Sequence, residues 1–351
     1  MKKILNKLYS TNNLERRELI KLLSSIDNKH KKILFEYADI VRKKIYGKKV
    51  FLRGIIEFSN YCKNSCMYCG LYASNKIINR YRMSKFEIME CCKKGYEMGY
   101  RTFVLQSGED PYYTDEMLKS TISSIKHAFP DAAITLSIGE RTKLSFNMLF
   151  NAGADRYLLR HEAAEKNLYE KLHPHMSHDN RINCLKILKD IGYQVGAGFI
   201  VGLPNQSLED IVEDLMFLKN LNPHMVGIGP FISHPQTPLK NSPNGSVDMT
   251  IICLSIIRLL LPHVLLPATT ALRCLDAHSW ERSLKAGANV IMTNLTPQEQ
   301  RKKYDIYKGK GNTADNANTL TVEVKDLIKN AGYEVDMGRG DHISISKLSL
   351  I

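Results

Sequence analysis

The sequence predicts an α/β fold: a complete (β/α)8 barrel of the TIM type with an N-terminal helical extension. Three observations carry this. Eight short apolar runs of strand length recur between residues 51 and 292. Amphipathic stretches with helical spacing separate them. Glycines stand just past two of those stretches, in Met98-Gly99-Tyr100 and Ile191-Gly192-Tyr193, where a helix stops before a new strand. Strands alternating with helices make a parallel sheet, and eight is the number that closes a barrel. A doubly wound open sheet is the competing arrangement.

Residues 1–49 form the extension. Apolar residues recur at helical spacing in Leu19, Leu22, Leu23 and Ile26, then in Ile33, Leu34, Tyr37, Ile40 and Val41, and Gly47 is a helix stop. The barrel occupies 50–310, with strands at 51–58, 102–105, 133–138, 156–159, 195–201, 225–228, 264–266 and 290–292. Helices between them include 84–98, 115–128, 180–191 and 207–221. The apolar stretch 251–268 resembles a membrane span, but Arg258 and Pro262 interrupt it, and a span needs about 20 uninterrupted apolar residues. It divides into a buried helix and a short strand. Residues 311–351 supply a last helix over 322–331 and a polar tail packed on the barrel.

A chain of 351 residues, 44% hydrophobic and 24% charged, has ordinary globular composition. The Met1-Lys2-Lys3 start lacks the apolar segment of a signal peptide, which predicts a cytoplasmic protein. Eight cysteines in such a length make no dense disulfide framework; in a reducing compartment, closely spaced ones bind metal or do redox chemistry. The formal charge is +13, concentrated in Lys29-His30-Lys31-Lys32, Arg42-Lys43-Lys44, Lys48-Lys49 and Arg301-Lys302-Lys303. Solvated helix faces account for such runs. They lack the interleaved aromatics of a nucleic-acid module, so no nucleic-acid or membrane partner is expected. An anionic small substrate or an acidic protein partner fits the charge.

Cys62-Lys-Asn-Ser-Cys66-Met-Tyr-Cys69 follows the first strand, at the barrel end where catalytic groups gather. Thiolates are the usual protein ligands of iron–sulfur clusters. Three on one loop hold three corners of a 4Fe-4S cube and leave one iron free to bind and reduce a substrate. Structural zinc is the plainer alternative, but it wants four closed ligands, and no fourth Cys or His stands within the loop. Cys91, Cys92, Cys184 and Cys253 fall in amphipathic helices and read as small buried hydrophobes. Cys274 follows the seventh strand, where it could face the cavity.

Other groups should converge on the same mouth. The second strand ends in Gln106-Ser107-Gly108-Glu109-Asp110, the third near Thr135 and Ser137, and the fourth in Arg160-His161-Glu162. Arg181 opens the next helix, where solvation is its plain reading. His161 alone reads as a satisfied structural histidine. Together these groups suit a zwitterionic cofactor with a ribose, since carboxylate pairs with Arg and hydroxyls pair with Glu. Gly196-Ala-Gly198-Phe-Ile-Val-Gly202 lies within a strand and precedes Pro204, so it is no dinucleotide fingerprint.

Several longer phrases resemble the radical S-adenosylmethionine (SAM) maturase family of FeFe-hydrogenase, HydE. They are Ile55-Ile-Glu-Phe-Ser-Asn-Tyr-Cys62, Gln106-Ser-Gly-Glu-Asp-Pro-Tyr-Tyr113, Arg156-Tyr-Leu-Leu-Arg160-His-Glu162, Val226-Gly-Ile-Gly-Pro-Phe231, Pro267-Ala-Thr-Thr270 and Gly287-Ala-Asn-Val-Ile-Met292. The resemblance implies reductive cleavage of SAM to methionine and a 5′-deoxyadenosyl radical inside a complete barrel. It implies cluster ligation by Cys62, Cys66 and Cys69, with SAM near Ser107, Gly108, Thr135, Ser137, Glu162, Arg181 and Met225. A substrate-side anion pocket is implied near Arg53, Gln106, Arg160, Thr269, Thr270 and Tyr307. The implied substrate is a small anion, a cysteine-bound iron carbonyl cyanide synthon of the hydrogenase diiron subcluster. The implied partners are other hydrogenase maturation proteins and an electron donor such as ferredoxin or flavodoxin.

Two departures qualify the resemblance. Many family members carry further cysteines near the C-terminus for an accessory cluster, whereas 311–325 contains none; one cluster is expected. The loop Arg273-Cys274-Leu-Asp-Ala-His278-Ser-Trp280 lacks the family's glycine-containing sequence and is expected beside the substrate pocket. A related barrel acting on an amino acid, like methylornithine synthase or biotin synthase, is the second enzyme reading. Pro230-Phe-Ile-Ser-His-Pro235 and Pro267-Ala-Thr-Thr270 favour the maturase. A non-catalytic iron–sulfur scaffold or electron carrier would need a fourth cysteine to cap the cluster.

Overall fold

The computed structural model describes residues 1–310 and 316–346. Its strands are β1 (Lys49–Ser59), β2 (Thr102–Ser107), β3 (Ala133–Ser137), β4 (Arg156–Leu158), β5 (Gln194–Ala197), β6 (Ile200–Val201), β7 (Met225–Val226), β8 (Gly229–Pro230), β9 (Pro267–Ala268), β10 (Val290–Asn294) and β11 (Glu334–Asp336). A parallel ladder runs β7-β5-β4-β3-β2-β1-β10-β9. Its ends meet where Met225 bridges Leu265. There the Val226 N–H donates to Leu265 O at 3.0 Å and the Leu265 N–H to His224 O at 2.9 Å. Eight strands thus form a ring, and the open sheet is ruled out.

Alternation along β1 sends Leu52, Ile56 and Phe58 into the apolar layer under the helices. Arg53, Ile55 and Glu57 point the other way, into the barrel. The barrel helices start where short hydroxyl side chains accept a backbone N–H three residues on, at Ser84, Thr114, Ser177, Ser207 and Ser246. These caps explain the helix starts that the sequence pattern marks.

Two runs read as single strands are interrupted: 195–201 divides into β5 and β6, and 225–228 is strand only at β7, with β8 just beyond it. Gly198 stands at φ +150 between β5 and β6, and a Cβ there would lie 1.9 Å from Gly227 O. The backbones approach at a spacing only glycine admits. Beyond this point β6 and β8 pair separately, Ile200 with Gly229 and Val201 with Pro230.

Helices Lys2–Thr11, Arg16–Ser25 and Asn28–Tyr46 form the extension, and the first of them was not marked by the periodicity. Helix Asn28–Tyr46 packs on helix Val247–Leu260, which is buried on all sides from Thr250 to Leu260. Arg258 is buried there because it serves four acceptors: Gly287 O, Pro262 O, Val264 O and Asn289 Oδ1. No helix among the described residues is long and apolar enough to cross a membrane.

The described part of the C-terminal region reaches further into the barrel than a tail packed on its outside. Its helix starts earlier, at Ala317–Asn330, and β11 adds to the N-terminal end of β1. The chain then enters the base of the barrel. Thr102 Oγ1 and Arg156 Nη2 donate to Arg339 O, at 2.8 and 2.5 Å, and Arg53 Nη2 donates to Gly340 O at 3.2 Å. Gln194 Nε2 donates to Asp341 Oδ1 at 2.7 Å, beside Arg156. Buried guanidiniums need acceptors, and this segment supplies them. The parts of the expected tail at 311–315 and 347–351 lie outside the described residues.

Candidate active site

The loop after β1 is tied down on several sides. The Lys63 N–H donates to Glu109 O at 2.9 Å, Met67 N–H to Leu172 O at 3.0 Å, Ala73 N–H to Asn64 O at 2.8 Å and Gly70 N–H to Ile306 O at 3.0 Å. Gly108 packs against it so closely that a Cβ would lie 2.2 Å from Tyr61 O and 2.7 Å from Cys62 Cβ. Cys62, Cys66 and Cys69 are free and half-buried. Burial pushes all three thiols up, Cys69 to about 12, and the other two cysteines add to the shift at Cys66. Thiolates in such a setting need a cationic centre among them. Among the described residues no three His, Cys, Asp or Glu side chains gather around one ion-sized point.

The three cysteines open into a cavity of about 330 Å³ inside the barrel mouth. Ser107, Gly108, Ser137, Glu162 and Arg181 line it, as do Gln106, Arg160, Thr269, Thr270 and Tyr307. Glu162 adopts φ +65, held by its N–H to Gly198 O at 3.0 Å and by Ile200 N–H to Glu162 O at 3.1 Å. A left-handed conformation in a glutamate costs free energy, and here it brings the carboxylate to the cavity. Glu162 Oε2 is buried without a hydrogen-bond donor, although Arg160 Nη2 lies 3.1 Å away. A hydroxyl-bearing cofactor such as SAM could donate to it.

Arg181 is buried rather than solvated. Its Nε donates to Glu140 Oε1 at 2.7 Å and its Nη1 to Arg160 O at 3.1 Å. Burial opposes its charge, but Tyr169, Glu140, Glu109 and Glu162 outweigh that and hold the guanidinium protonated. Behind Glu162, the Gly198 N–H donates to His161 Nδ1 at 3.3 Å, and His161 Nε2 lies 3.2 Å from Asp214 Oδ1. Burial pushes His161 down to about 3. It is a neutral brace for the turn.

Three expected residues do not line the cavity. Thr135 is buried on β3 with its Oγ1 unpartnered. Arg53 Nη1 donates to Met225 Sδ at 3.0 Å, and both side chains are buried among the strands near the C-terminal segment. Cys91, Cys92, Cys184 and Cys253 are buried, whereas Cys274 is exposed with its Sγ 3.7 Å from Gly309 O, off the cavity wall. The unusual loop also turns away. Arg273 stacks over Trp280 at 4.6 Å, and Trp280 Nε1 donates to Thr269 O at 2.9 Å. The loop reaches the cavity by bracing Thr269 from behind.

Motif reading missed Tyr304, Ile306, Lys310 and His173 on the cavity wall. His173 Nε2 lies 2.7 Å from Tyr68 Oη, the aromatic before the third cysteine. Proximity to the cysteine loop in the folded chain is what identifies them.

Residues 56–218 match the model of the radical SAM superfamily. The chain is 47% identical over 302 residues to the [FeFe] hydrogenase maturase subunit HydE of Thermotoga maritima, covering 85% of this chain and 86% of that one. It is 32% identical over 286 residues to 3-methylornithine synthase of Methanosarcina acetivorans, covering 81% and 80%. Among solved structures, methylornithine synthase (PylB) superposes with a TM-score of 0.86 at 26% identity, over 99% of this chain and 100% of that one. The FeFe-hydrogenase maturase HydG of Carboxydothermus hydrogenoformans shares the fold, with a TM-score of 0.81 at 22% identity over 96% and 79%.

Proposed function

The chain belongs to the radical SAM superfamily, in the family of the [FeFe] hydrogenase maturase subunit HydE, and on that premise we propose that it acts in assembly of the hydrogenase diiron subcluster. Its substrate in this reading is a cysteine-bound iron carbonyl cyanide synthon. The observation that carries the proposal is one cavity with three free thiols and, on the same wall, both a SAM-type polar set and the cation Arg160. When bound, a 4Fe-4S cluster with one open iron supplies the electron that splits SAM into methionine and a 5′-deoxyadenosyl radical.

In this reading Cys62, Cys66 and Cys69 hold that cluster, the protein's single one. Ser107, Gly108, Ser137, Glu162 and Arg181 bind and orient SAM; Gln106, Arg160, Thr269, Thr270 and Tyr307 face the substrate. Thr135, Met225 and Arg53 support this wall from beneath. Other maturation proteins and an acidic electron donor of the ferredoxin or flavodoxin type are the partners.

The test is anaerobic reconstitution followed by dithionite reduction and detection of 5′-deoxyadenosine. Protein with a verified cluster should cleave SAM, and C66A should lose both the cluster absorbance and the cleavage. A C66A protein that retains activity would refute the ligand assignment. The match to methylornithine synthase over nearly the whole chain favours a second reading, a related radical SAM barrel acting on an amino acid. Complementation of an FeFe-hydrogenase maturation system lacking this maturase separates the two: restored hydrogenase activity supports the first, and failure supports the second.

A further inference from the structure

Lys310 is absent from every motif above, yet it reaches the inside of the barrel. It is 7% exposed, lines the cavity, and donates from Nζ to Glu57 Oε1 at 2.6 Å. Glu57 is fully buried, and its other carboxylate oxygen accepts from Asn294 Nδ2 at 2.8 Å. Glu57 itself does not line the cavity. A ligand therefore meets the cation, with its counter-charge fixed behind it.

The segment that delivers Lys310 is fastened along its length. Asn60 Nδ2 donates to Lys303 O at 2.8 Å, Gln106 Nε2 to Tyr304 Oη at 3.1 Å and Gly70 N–H to Ile306 O at 3.0 Å, while His234 Nε2 lies 2.9 Å from Asp305 Oδ2. These contacts fasten residues 303–306 independently of Lys310. An ammonium has three N–H donors, and Glu57 is the one partner recorded for it among the described residues. A buried donor left unsatisfied is costly. Lys310 shares the cavity wall with Tyr304 and Tyr307.

We propose that Lys310 is a specificity-determining residue that takes the carboxylate of a cysteine-bearing substrate, with Glu57 and Asn294 as its positioning residues. This rests on the reading that such a substrate enters the cavity. A charge-assisted hydrogen bond to a buried ammonium should favour a carboxylate over its neutral amide by about tenfold or more.

The experiment is anaerobic calorimetric titration of the cluster-loaded, SAM-supplemented protein with L-cysteine and, separately, L-cysteinamide. The wild type should prefer L-cysteine by about tenfold or more, K310R should keep most of that preference, and in K310M the ratio should fall close to one. A preference undiminished in K310M overturns the proposal, as does a wild type that binds neither probe or both equally. Should K310M fail to take up its cluster, K310Q, which can still donate to Glu57, carries the same comparison. SAM cleavage by the same wild-type preparation reports on the radical reading alone; its absence with the preference intact would sink that reading and leave this one standing.

Discussion

Gly108 shows how little space surrounds the cysteine loop. Its missing Cβ would fall 2.2 Å from a backbone carbonyl and 2.7 Å from Cys62 Cβ, and the carbonyl cannot rotate aside. G108A should therefore displace the first cysteine and lower cluster loading several-fold, read from iron content and visible absorbance, with the secondary structure intact by circular dichroism. Full loading would show that the loop can shift at little cost. Trp280 tests a longer reach. Its indole N–H holds Thr269 O from outside the cavity. W280F, which keeps an aromatic ring but loses the donor and part of the indole's buried volume, should cost on the order of 2 kcal/mol of stability. It should weaken substrate binding more than SAM binding; equal weakening of the two would argue against a substrate-side Thr269.

Among the elements, the C-terminal segment makes the sharpest prediction. Burial alone would raise the Asp341 carboxyl, but Arg156 and Arg339 outweigh it and hold it well below the ordinary carboxylate range. A carboxyl depressed on folding adds stability above its unfolded value of about 4, and that stability is lost as pH falls from there through the folded value. D341N leaves the fully buried Arg156 without its counter-ion. At neutral pH it should cost on the order of 3 kcal/mol, and the gap to wild type should narrow below about pH 4. Thermal unfolding at several pH values checks both. A pH-independent gap would mean that the segment is held by its backbone contacts alone. The broken strands belong to this scale as well. Continuous apolar runs at 195–201 and 225–228 hide the point where Gly198 meets Gly227 O, because periodicity reports burial and not the approach of a second backbone.

For the whole molecule, the net charge of +13 bears on encounter and not on fold. If an acidic carrier delivers the electron, its reduction of the cluster should slow several-fold as ionic strength rises from about 0.05 to 0.5 M. Stopped-flow reduction by flavodoxin across that range of ionic strength measures it. No salt dependence would separate the charge from electron delivery. Closure of the barrel also operates at this scale. One bridge between Met225 and Leu265 joins the ends of the ladder, while the Arg53–Met225 contact and the Gly340 carbonyl knit the same region from within.

Periodicity, glycine stops and the C-x3-C-x2-C spacing were enough to specify an eight-stranded barrel with a three-thiol loop at its mouth, because each is a local consequence of residue order. The folded chain decided what local order cannot encode. It turned Arg181 from a solvated residue into a buried one, since four neighbouring groups stabilise its charge. It drew the C-terminal segment into the barrel base, since Arg53 and Arg156 lack acceptors on their own strands. It took the Arg273–Trp280 loop off the cavity and put Lys310 on it. Each depends on a partner more than a hundred residues away or on packing from outside the element, where charge and hydrogen-bond satisfaction, not spacing, choose the contact.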